Sequence, residues 1–99
     1  MDANPVQAGM TQAAEIALAR ATQVAEFIAR LDACAASIKD HADLIGDEVY
    51  GDLVGQAYQY ATFLTECKEM NMSLKDPRIR EVTNEITLFC EFIEEELGM

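Results

Sequence analysis

At 99 residues the chain has the length of one domain with a modest core, and it is too short for a catalytic domain joined to a regulatory one. Its composition, 51% apolar and 25% charged, is that of a globular chain and not a disordered one. Eighteen acids against seven bases leave a net charge of −11, which repels nucleic-acid phosphates and anionic lipid, so direct nucleic-acid or membrane binding is not expected and basic protein surfaces are the favoured partners.

The segment Met1-Asp2-Ala3-Asn4-Pro5 has no basic run followed by an apolar one, and no stretch reaches the length needed to span a bilayer. Neither a cleaved secretion signal nor membrane insertion is expected. Residues 1–9 hold Asn4-Pro5 and Gly9 without periodicity and read as a flexible N-terminal tail, leaving residues 10–99 as a single helical bundle domain.

From Met10 onward Ala14, Ala17, Ala21, Val24, Ile28, Leu31, Ala35 and Ile38 recur at alternating four- and three-residue steps, the spacing of one helix face. This predicts a first helix of about 28 residues and roughly 42 Å, with Thr11 and Glu15 near its start. Residues 39–47 break the pattern with aspartates and Gly46, so a connector with at most a short extra turn is expected, with Asp47 capping the next helix. A second helix is predicted over Glu48–Met70 with Tyr50, Leu53, Ala57, Ala61 and Leu64 on its core face and Val54, Tyr60 and Cys67 at the edges. Gly51 and Gly55 each weaken it by up to about 1 kcal/mol relative to Ala, which points to close helix contact or local fraying. After a connector at 71–75, Asp76-Pro77 is a start signal, a capping acid followed by a proline where no amide is needed. The third helix is expected to bury Ile79, Val82, Ile86, Phe89, Ile93 and Leu97 and to stop at Gly98. The fold class is therefore all-α, an antiparallel up-down-up bundle of three main helices.

That arrangement brings the first connector and the end of the third helix together. It gathers Asp40, Asp43, Asp47, Glu48 and Asp52 with Glu91, Glu94, Glu95 and Glu96 into a negative pole, offset only by Lys39 and His41. The other end carries Lys68, Lys75, Arg78 and Arg80 among Glu66, Glu69 and Asp76. Acids at a helix C-terminus oppose the macrodipole by a few tenths to about 1 kcal/mol each. Such a pole serves either as a solubilising face or as a docking surface for lysine and arginine.

Leu88 and Phe92, four apart on the third helix and off its core stripe, predict an exposed apolar pair ringed by Glu81, Glu85, Glu91 and Glu95. On the first helix Leu18, Ala25, Ala29 and Ala36 widen the apolar arc beyond what two neighbours cover, which predicts a homodimer through that helix. The alternative is that the alanines are simply good helix formers facing solvent.

Catalytic signatures are missing from the sequence. No serine or cysteine has a nucleophile-elbow context, the glycines form no phosphate-cradling loop, and no Glu-x-x-His pair suits a di-iron bundle. The pole's acids do not follow calcium-loop spacing, so no metal site and no cofactor are expected. Cys34, Cys67 and Cys90 are odd in number, widely spaced and set in helical patterns, which predicts buried reduced thiols and a cytoplasmic location. His41 is the only histidine and invites comparison with histidine phosphotransfer domains. The positions three and four residues after it, where that family carries Lys and Gly, hold Leu44 and Ile45, and Asp40 and Asp43 would repel a phosphoryl group. The expected function is a non-enzymatic acidic interaction module, an inhibitor occupying a basic, nucleic-acid-binding surface of a partner protein. The alternatives are a phosphotransfer relay through His41 and a purely self-assembling helix module.

Overall fold

A computed structural model describes the backbone of residues 5–99 and the side chains from Gln12 onward. Four helices succeed one another: α1 (Pro5–Asp40), α2 (Ala42–Ile45), α3 (Asp47–Glu69) and α4 (Arg80–Glu96). No strand occurs among the described residues, so the protein is all-helical. The contacts of α1 with α3 and α4, and of α2 with α3, are consistent with a bundle.

The first helix begins at Pro5, ahead of the expected Met10, because a proline needs no amide partner in the first turn. Residues 1–4 of the expected tail, and the side chains of Met10 and Thr11, lie outside the described residues. At 36 residues, α1 is about 54 Å long, while α3 has only 23 residues. The molecule is correspondingly elongated, 64 × 24 × 18 Å.

That mismatch decides which part of α1 is core. From the predicted stripe Val24, Leu31 and Ile38 are fully buried, joined by Cys34, while Ala14 is exposed and Ala17 and Ala21 are half-covered. Ala57, Leu64 and Cys67 of α3 and Ile86, Phe89, Cys90 and Ile93 of α4 complete the core, with Ile79 buried just ahead of α4. Tyr60 and Phe89 meet edge to face, with ring centroids 5.5 Å apart, and join α3 to α4. The thiol of Cys34 donates to the Cys90 carbonyl across 3.7 Å between α1 and α4. All three cysteines are free and buried, as their spacing predicted.

The helix ends obey local chemistry, in two places differently from expectation. Asp47 does not cap α3: the residue before the helix is Gly46, at φ 91°, a conformation that favours glycine, and no side-chain cap bond forms there. Asp47 instead sits in the first turn, where its carboxylate faces the positive end of the dipole. Asp76-Pro77 likewise does not open α4. The Asp76 carboxylate accepts the Arg78 amide at 2.9 Å and the Asp76 carbonyl accepts the Ile79 amide at 3.1 Å, which makes a separate turn, and the helix starts at Arg80. Two C-termini close by the same motif. At Asn71 (φ 52°) the Met72 amide reaches the Cys67 carbonyl, and at Gly98 (φ 69°) the Met99 amide reaches the Glu94 carbonyl. The Asn71 side-chain amide also donates to the Ala17 carbonyl at 2.9 Å, fastening the end of α3 to α1.

Candidate functional site

The short α2 and the Gly46 reversal fold the first connector back beside the end of α4. His41, Leu44, Ile45, Val49 and Leu53 face Phe92, Ile93, Glu96 and Leu97 across a cleft of about 410 Å³. The floor is core: Ile93 is buried and Ile45, Leu53 and Leu97 are half-buried. The walls are apolar groups left in solvent, with Leu44 84% and Phe92 53% exposed and Val49 similarly open. Leu88, also exposed, continues the apolar strip one helical turn before Phe92.

Carboxylates adjoin this strip. Asp43 precedes Leu44, Asp47 and Glu48 precede Val49, Asp52 precedes Leu53, and Glu91, Glu95 and Glu96 flank the exposed face of α4. Of these, Asp43, Asp47, Glu48, Asp52, Glu91, Glu95 and Glu96 are all exposed, as is Asp40. Both α1 and α4 also end here and α3 begins here, so the negative ends of two macrodipoles are partly offset by the positive end of a third. Lys39 is the single basic residue in the last turn of α1, and α4 has none.

Glu94 differs from its neighbours. Arg30 of α1 donates to it through two parallel bonds, Nε to Oε2 at 2.8 Å and Nη2 to Oε1 at 2.7 Å. The guanidinium holds the Glu94 carboxyl below the usual carboxylate range, and Arg30 is shifted further up by the same pair. Glu94 therefore ties α4 to α1, while most of the other predicted acids of the pole stand in solvent.

The sequence reading missed the apolar lining contributed by the connector. Its signal was present: Leu44-Ile45, then Val49 and Leu53 at helical spacing, inside an acidic stretch. The pairing of Arg30 with Glu94, 64 residues apart, has no such signal. Of the predicted self-association set, Leu18, Ala29 and Ala36 are exposed and Ala25 is half-buried; Leu18 lies level with the end of α3, where Asn71 meets Ala17.

His41 is half-buried, with Nδ1 2.8 Å from the Ser37 carbonyl oxygen, one turn back. Burial raises all three thiols, Cys90 to about 12. They stay protonated at neutral pH, which makes them poor nucleophiles and poor metal ligands. Among the described residues no group of three His, Cys, Asp or Glu side chains converges to hold a metal ion, and no helix is long and apolar enough to cross a membrane. Compared with protein families, with curated proteins and with solved structures, the chain matches none.

Proposed function

We propose that the protein is a non-enzymatic interaction module, an up-down-up bundle whose acidic pole docks onto the basic, nucleic-acid-binding surface of a partner protein and thereby inhibits it. The observation that carries this reading is the apolar cleft of Leu44, Val49 and Phe92 opening among exposed carboxylates. The glutamates at the end of α4 oppose its dipole and lower stability, and a basic partner would offset that cost. Steering by the carboxylates accelerates encounter, and the apolar groups slow release. The test is capture of partners from cell lysate on the immobilised protein, at low and high salt and with duplex DNA or RNA as competitor. Retained proteins should be basic, salt-sensitive and displaced by nucleic acid; retention of neutral proteins indifferent to salt would overturn the reading.

A second surface supports self-association. Leu18 is exposed on a stretch of α1 with few charges, on the same face as Ala29 and Ala36, whose small side chains permit close approach by a second copy. Leu18→Glu combined with Ala29→Glu should convert a dimer to monomer in sedimentation. Wild-type protein already monomeric at about tens of micromolar would refute the dimer.

A further inference from the structure

Resting on the docking reading above, we infer that the cleft between the first connector and α4 takes one amphipathic, lysine- or arginine-rich helix of the partner, seated by its apolar face. The form of the occupant is set by the surface the protein offers. Among the described residues there is no sheet edge to template an extended peptide. Phe92 is the single phenylalanine lining the cleft, which holds no tyrosine, too few aromatic rings for a polyproline groove. What remains is an apolar groove between helical elements, the mode in which a helix inserts anchors spaced three and four residues apart. Leu88, Phe92 and Leu44 give that groove an exposed apolar border to track.

Charge selects the occupant. A second copy placed pole to pole would oppose two surfaces of the same sign on chains of net charge −11. A lipid surface or nucleic acid meets the same repulsion. A cationic helix satisfies both halves of the site at once, its apolar stripe against Leu44, Val49 and Phe92 and its flanking lysines or arginines beside Asp43, Glu48, Glu95 and Glu96.

The probe is a synthetic leucine–lysine peptide of about four helical turns with leucines at helical spacing, set against a scrambled peptide of the same composition and charge. Binding is monitored by fluorescence anisotropy and peptide helicity by circular dichroism. The patterned peptide should become helical on the full-length protein and bind about tenfold more tightly than the scrambled one. Leu44→Ser should abolish that difference while leaving the thermal midpoint unchanged, because Leu44 is almost wholly exposed; Val49→Ser provides the same test should the first variant fold poorly. Equal binding of the two peptides, unaltered by either substitution, would overturn the helix inference and leave the electrostatic reading standing. Failure of both peptides to bind would overturn both.

Discussion

Two stretches of apolar surface are left uncovered at opposite ends of the molecule, and they differ in the charge around them. On the N-terminal half of α1, Leu18 stands among alanines, with Glu15 and Arg20 the nearest charges in sequence. At the pole, Leu44, Val49, Leu88 and Phe92 stand among carboxylates on every adjoining turn. Apolar area supplies affinity in both places, but charge discriminates among partners. A patch with few charges would suit the proposed second copy of the chain, whereas an acid-ringed patch would favour a cationic partner.

The strongest way to break the comparison is to remove the floor of the pole. Ile93→Ala, at a fully buried site, should cost about 2–5 kcal/mol in chemical denaturation and weaken peptide binding as the cleft loses its base. Leu18→Ala, at an exposed position of α1, should stay within about 0.5 kcal/mol. Comparable losses at the two sites would mean that Leu18 is packed after all.

Phe92→Ala tests the pole as a binding surface. With the ring half in solvent, partner affinity should fall by about 2 kcal/mol, and stability should fall by well under the roughly 3–5 kcal/mol of a buried phenylalanine. Unchanged affinity with a large stability loss would assign Phe92 to the margin of the core. A smaller effect is expected at Gly51, beside the acidic rim, where a Cβ would meet nothing within 4 Å. Of the two explanations for the glycines in α3, close helix contact is thereby removed. Gly51→Ala should stabilise the protein by about 0.5–1 kcal/mol, seen as a higher thermal midpoint.

The finest distinction lies within the pole itself, between an acid tied to the fold and acids open to a partner. Glu94 has its carboxyl pKa depressed by Arg30, so its contribution is fully present above the unfolded-state carboxylate value and is lost as pH falls through the folded one. Glu94→Gln should lower stability slightly at neutral pH and flatten its decline in acid, with little change in the salt dependence of peptide binding. Glu95→Gln, at an exposed position, should reduce the salt dependence of peptide binding and leave stability nearly unchanged. Equal effects from the two substitutions on salt dependence would erase the distinction.

How much of this is legible in the sequence depends on how far each interaction reaches along the chain. Periodicity alone placed Val24, Leu31 and Ile38 on one face, Ala57 and Leu64 on a second, and Ile86, Phe89 and Ile93 on a third, and all of them are buried. Off-stripe position alone marked Leu88 and Phe92 as exposed. Helix ends were less legible, because an Asp-Pro signal initiates a turn as readily as a helix and one glycine, Gly46, decided where α3 begins. Composition and local pattern determined the all-helical class, the net charge and the buried thiols, since these depend on residue types and on neighbours three or four positions away. Only the tertiary structure decided that α1, longer than α3, leaves Ala14 of its stripe exposed, that Leu44 and Val49 join Phe92 around one cleft, and that Arg30 withdraws Glu94 from the acidic pole. Each depends on relative helix lengths or on side chains meeting across dozens of residues, and helical spacing says nothing about either.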